Sequence, residues 1–212
     1  ATATFMAVVL GKDAQPAMDE LLAATGSEKD PTARRAMTAA VGRIGGRADA
    51  AVPLLLKLLR DEAPPVRAAA ADALGNYGDT KVVDPLIEAL GEANPEVRIA
   101  VVGALSKFGD KAQRAAEPIA KLLTTNPDPD ARVRAAVPAA LFKIGVERQS
   151  FVRALLLGCT KDADTSVRVA SINTLALLRA TEARADLERL AGDKELAVKE
   201  AASTALKALD AK

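Results

Sequence analysis

The chain has 212 residues and is nearly neutral, with 29 Lys and Arg against 28 Asp and Glu, no His, no Trp, one Cys, one Tyr and four Phe, while 47 residues are Ala. Without His and with Cys159 alone, a His triad, a Cys/His zinc centre, a Cys-x-x-Cys redox pair and an internal disulfide are excluded, and scarce aromatics leave base stacking poorly served. A core this rich in Ala gains little area per side chain, so it must draw backbones close together, which packed helices do better than strands.

Residues 1–10 read as a lone second helix, half of a repeat. From there two kinds of segment alternate. The first kind is AQPAMDELLAA, AAVPLLLKLL, VVDPLIEAL, AAEPIAKLL, SFVRALLL and ARADLERLA; Pro16, Pro53, Pro85 and Pro118 are expected in the first turns of their helices, where a missing N–H costs nothing. The second kind is DPTARRAMTAAVGRIG, APPVRAAAADALGNYG, NPEVRIAVVGALSKFG, DARVRAAVPAALFKIG, DTSVRVASINTLALLR and ELAVKEAASTALKALD. Its anchor residues, Arg34, Arg67, Arg98, Arg134, Arg168 and Lys199, are 33, 31, 36, 34 and 31 apart. Each repeat is thus a helix pair, at 11–45, 46–78, 79–109, 110–145, 146–180 and 181–212. Asp30, Asn94, Asp130 and Asp164 are expected N-caps, with Pro31, Pro64 and Pro95 opening their helices and Gly45, Gly78, Gly109 and Gly145 closing them; repeats five and six lack that Gly.

Columns counted from the anchor separate core from surface. Offsets two (Ala in all six repeats) and six (Ala in five, Thr174 in one) are expected to be close contacts between helices, and offsets two, three, six, seven and ten mark one helical face, Tyr77 falling in the last of them. Offsets one, four and eight are apolar in the middle repeats and polar in the last, at Glu200, Ser203 and Lys207. Either they pack repeat against repeat and cap the end, or Ile99, Val102, Phe142, Val169 and Ile172 form an exposed apolar strip for a partner.

The Val-Arg pair opening the second helix, kept in repeats two to five, the Pro early in the first and the acidic turn between them resemble HEAT repeats, in particular the short bacterial HEAT-like kind named after phycobilisome lyases. The resemblance implies an all-α, right-handed α-solenoid of about six repeats forming one domain over 1–212. It also implies that the Val-Arg helices line the concave face, with Arg34, Arg67, Arg98, Arg134 and Arg168 as a ladder. That ladder either faces a partner or pairs with turn acids such as Asp30, Glu62, Glu96, Asp130 and Asp164.

Charge is banded. Residues 61–96 carry eight acidic and two basic side chains, and 97–160 carry five acidic and ten basic. The basic band, with Arg98, Lys107, Arg132, Arg134, Lys143, Arg148 and Arg153, either steers an acidic partner or is ordinary solvated surface. The expected role is a non-catalytic protein-interaction scaffold with no cofactor and no metal. Its candidate partner-binding residues are Ile99, Val102, Phe142, Val169, Ile172, Arg98, Arg134 and Lys143. A bilin-lyase-like or chaperone-like enzyme and nucleic-acid binding through the basic band are the alternatives. A hydroxylase of this family would need His-Glu pairs, which a chain without His cannot supply. No apolar run reaches the roughly 20 residues of a membrane span, and residues 1–10 lack the positive flank of a secretory signal; the compartment stays open. Pro138 is expected to kink its helix near 134–138, and Cys159 to be a buried, inert thiol.

Overall fold

The computed structural model describes residues 17–124, 127–145 and 150–211. Among these the regular structure is entirely helical. The α-helices are α1 Met18–Ser27, α2 Pro31–Ile44, α3 Ala48–Leu58, α4 Pro64–Tyr77, α5 Val83–Glu88, α6 Pro95–Lys107, α7 Ala116–Lys121, α8 Ala131–Lys143, α9 Ser150–Cys159, α10 Thr165–Leu177, α11 Arg184–Leu190 and α12 Leu196–Asp210. They fall into two compact units that divide between Ala115 and Ala116. In the first, α2, α4 and α6 stack side by side and each holds its own first helix, α1, α3 or α5. In the second, α8, α10 and α12 stack likewise, each with α7, α9 or α11. The half repeat at 1–10, Pro16 and Arg148 lie outside the described residues.

The turn chemistry explains why the second helices start and stop where they do. Asp30 accepts the Ala33 N–H at 2.8 Å, Asn94 the Glu96 N–H at 2.9 Å, Asp130 the Arg132 N–H at 2.8 Å and Asp164 the Ser166 N–H at 2.8 Å, relieving first-turn donors that have no helical partner. Pro31, Pro64 and Pro95 are the first residues of α2, α4 and α6. At the far end Gly45, Gly78, Gly109 and Gly145 all take positive φ, between 57° and 79°. Repeat five reaches the same left-handed slot without glycine: Arg179 holds it at φ 47°.

First helices are less regular than expected. Only α1, α3 and α9 are long; α5, α7 and α11 are one to two turns preceded by the 3-10 segments Thr80–Val82, Gly109–Ala115 and Thr181–Ala183. Pro85 and Pro118 stand third in α5 and α7, as first-turn residues should. Pro53 does not: α3 begins at Ala48, behind a left-handed Arg47, which puts Pro53 in the interior, where its ring faces solvent. Pro138 also lies inside its helix, α8, whose span runs from Ala131 to Lys143 through it.

The core columns depart from the sequence reading at offsets two and four. Offset six is buried in all six repeats, but offset two is half-buried in every repeat except at Ala100. Offset four is core: Thr38, Ala71, Val102, Pro138 and Ile172 are buried. The reason is that second helices stack on one another as well as on their first helices. A Cβ at Gly42 (offset eight) would lie 2.6 Å from the Cβ of Ala73 (offset six of the next repeat), and one at Gly75 would lie 2.8 Å from the Cα of Ala104. Offset four is one turn from offset eight on the same helix face, so it is covered by the same neighbour. The buried Thr38 and Thr174 hydroxyls donate to carbonyls one turn back, those of Arg34 and Ala170, which satisfies them without a partner outside the helix.

Candidate functional site

The anchor arginines build an internal ladder. Each spends Nη1 on two carbonyls of the turn before its own helix. Arg34 donates to Glu28 and Lys29, Arg67 to Asp61 and Glu62, Arg98 to Glu92 and Ala93, Arg134 to Asp128 and Pro129, and Arg168 to Asp162 and Ala163. The rest of the fork reaches the following turn. Arg34 grips Asp61 through Nε at 2.7 Å and Nη2 at 2.9 Å, Arg67 meets Glu92 at 3.0 Å, and Arg134 grips Asp162 through two 2.9 Å bonds. Bidentate geometry of this kind fixes orientation as well as supplying charge.

The acids that receive these forks are mostly not the ones expected. Glu62 comes 3.5 Å from Arg34 but lies largely in solvent, while Asp30, Asp130 and Asp164 cap helices. The receiving column stands six residues before each anchor and is acidic in every repeat: Glu28, Asp61, Glu92, Asp128, Asp162 and Asp193. Its side chains also brace their own turns, Asp61 accepting the Ala63 N–H, Asp128 that of Asp130, Asp162 that of Asp164 and Asp193 that of Glu195. The regular sixfold acid was legible from the repeat alignment. The Arg134 fork holds the Asp162 carboxyl below its ordinary range, aided by the Asp164 N–H and opposed by burial. Burial pushes Asp61 upward more than any single interaction lowers it, yet the Arg34 fork, the Ala63 N–H and the nearby positive charge together hold it below that range. The ladder stops at repeat six: the Nε of Arg168 is buried with no acceptor, and Lys199 is exposed.

This placement sorts the candidate partner-binding residues. Val102 and Ile172 are 1% and 0% exposed and so do not belong to an exposed strip. Arg98 and Arg134 are committed to turn carbonyls, and Arg134 also to Asp162, so their forks serve the scaffold. Ile99, Phe142 and Val169 are half-buried and Lys143 is exposed. Much of the basic band is also matched internally: Arg132 with Asp130, Arg153 with Glu182, and Lys107 with Asp72 and the Asn76 side chain.

In the first unit the outer face of α2, α4 and α6 forms a groove of about 640 Å³. Its floor is small side chains, Ala39, Ala68, Ala69 and Ala73, and its rims carry Arg35, Arg43, Asp72, Asn76, Glu96 and Lys107. Tyr77 is not in the core: it is half-buried and its hydroxyl donates to the Gly46 carbonyl at 2.9 Å, tying the end of α4 to the turn after α2. Cys159 is buried, and that burial lifts its thiol to about 11. Among the described residues there is no group of three or more potential metal-ligating side chains and no helix long and apolar enough to cross a membrane.

The family model for HEAT repeats matches residues 52–141. No curated protein matches the sequence. Among solved structures, the chain is similar to one from the complex of CpcE and CpcF of phycocyanin lyase from Nostoc sp. PCC7120, at 24% identity and TM-score 0.59 over 98% of this chain and 86% of that one. YibA of Escherichia coli is 18% identical, with TM-score 0.70 over 97% and 86%, and an engineered protein is 20% identical, with TM-score 0.66 over 91% and 98%. These likenesses are of fold. Residues 52–141 carry HEAT repeats, the helix pairs on either side repeat their geometry, and the chain has the all-α solenoid fold.

Proposed function

We propose that the chain is a non-catalytic binding module that engages another protein through the outward face of its second helices. The observation that carries this reading is a contrast between columns. Six residues before the anchor, every repeat has an acid, and that column is consumed by the ladder. Nine residues after the anchor stand Arg43, Asn76, Lys107, Lys143, Leu177 and Ala208, exposed in every repeat and ranging from cationic through polar to aliphatic. Repeats that agree inside and differ on one outer face suit a scaffold whose surface is tuned site by site. Ile99 belongs to this face in the first unit; Phe142, Lys143 and Val169 belong to it in the second, where Leu177, 61% exposed, extends its apolar part.

The test is capture of partners by the full chain, compared with Ile99→Asp and with a Lys143→Glu/Leu177→Asp double variant, and with Lys57→Glu on the first-helix side as control. Loss of the same partner with the face variants and retention with the control supports the assignment; capture unaffected by all of them sinks it. A bilin-handling role is the second reading, prompted by the phycocyanin lyase chain among the similar structures. A change in bilin absorbance on mixing with the purified chain is its test.

A further inference from the structure

The arginines of the first unit are almost all occupied. Arg34, Arg47, Arg60, Arg67 and Arg114 each hold a carboxylate, and Arg98 holds two turn carbonyls. Arg35 and Arg43 are different. Both are exposed, neither makes a hydrogen bond or ion pair with any described residue, and both line the groove over α4. They stand eight residues apart on α2, which places them about 12 Å apart along one bank. The opposite bank is already committed. Lys107 is held by the Asn76 side chain at 2.9 Å and lies 3.9 Å from Asp72, and the Asn94 side chain caps α6. The groove therefore offers two unspent guanidinium forks along one side of an Ala-lined floor.

We infer that this groove receives an acidic polypeptide segment of the partner, its carboxylates gripped by Arg35 and Arg43. The inference rests on the second-helix face being the binding surface and adds the chemistry of what binds there. Guanidinium forks suit carboxylates because two parallel N–H groups meet two oxygens. The spacing fits as well. An extended chain rises about 3.3 Å per residue and residues four apart point the same way, so acids at i and i+4 span the distance between the two arginines. Ala39, Ala68 and Ala69 leave room for the peptide backbone against the floor.

The experiment uses the full chain and a fluorescein-labelled peptide of Glu residues spaced four apart by Gly and Ser, with Lys and Gln counterparts, read by anisotropy at low and at physiological salt. The Glu peptide is expected to bind and to weaken with salt, with the Gln and Lys peptides at least about tenfold weaker. Arg35→Gln/Arg43→Gln should lose about tenfold while melting as the parent does. An Arg35→Lys/Arg43→Lys variant, which keeps the charge but not the forks, should bind the Glu peptide more weakly than the parent, and it serves if the Gln double variant fails to fold. Equal binding of the three peptides, preference for the Lys peptide, or undiminished Glu binding by these variants overturns the inference. A captured partner that tolerates loss of both arginines, but is lost with Lys143→Glu/Leu177→Asp, overturns the inference and leaves the broader reading standing.

Discussion

Gly75 and Gly103 sit in the interiors of adjacent helices, α4 and α6, and the same substitution at each should move stability in opposite directions. An Ala side chain in a helix interior is worth about 1 kcal/mol over Gly when nothing opposes it. At Gly103 nothing lies within 4 Å of the added Cβ, so Gly103→Ala should stabilise by about that amount. At Gly75 the Cβ would meet the Ala104 Cα at 2.8 Å, the Ala104 Cβ at 3.0 Å and the Lys107 Cδ at 3.1 Å. Lys107 can swing away, but the Ala104 contact is backbone. Restoring ordinary carbon–carbon separation requires α4 and α6 to move apart by roughly 0.7 to 1.2 Å. Overpacking of this kind costs about 1 to 3 kcal/mol, which outweighs the propensity gain, so Gly75→Ala should destabilise by about 1 to 2 kcal/mol. Urea and thermal unfolding followed by far-ultraviolet circular dichroism read both, with Tm moving about 2 to 4 °C per kcal/mol in a chain of this size. If both variants stabilise, the close approach of the second helices does not govern their packing.

Asp162→Ala should destabilise the second unit by about 2 kcal/mol by stripping the Arg134 fork of its charged acceptor, measured by urea unfolding. Because the folded Asp162 carboxyl lies below its unfolded value of about 3.9, the pair's contribution is complete above that value and is lost as pH falls through the depressed folded one; the Asp162→Asn variant should therefore lose less Tm than the parent between neutral and strongly acid pH. Arg179→Gly should stabilise by about 1 kcal/mol, because the side chain is exposed and the backbone is left-handed; a lower Tm would contradict that. Cys159, lifted to about 11 by burial, should react with an aromatic disulfide reagent orders of magnitude more slowly in native protein than in denatured protein at mildly alkaline pH, and comparable rates would count against it.

The caps, the opening prolines and the closing glycines were readable because each depends on a few neighbouring residues and repeats at a fixed place. Arg179 was not readable as a left-handed residue, since only the stacking of repeat five on its neighbours imposes that backbone on a side chain that does not favour it. Offset four does not follow from a single amphipathic helix, which has one buried stripe, whereas a stacked second helix has a first helix on one side and another second helix on the next, as α2 and α4 do over Thr38. The acids were misassigned by proximity along the chain. Asp30 and Asp164 lie near their anchors in sequence, yet they are held by helix N–H groups, and the forks reach 25 to 28 residues ahead. The groove rims could not be sorted in advance, because Arg35 and Arg98 look alike until their partners are placed.

Asp61 faces two ways: its carboxylate answers the arginine behind it, and its carbonyl answers the arginine ahead. Glu92 repeats the arrangement one unit later, receiving Arg67 and serving Arg98. The stretch from Asp61 to Gly91 is therefore a cassette whose two ends match each other, and a second copy spliced in after Gly91 would present an acid to Arg67 and an arginine fork to Glu92. Arrays of this kind can lengthen or shorten by whole units without any new junction chemistry, and only a cut that falls between an acid and the anchor six residues after it parts an arginine from its turn.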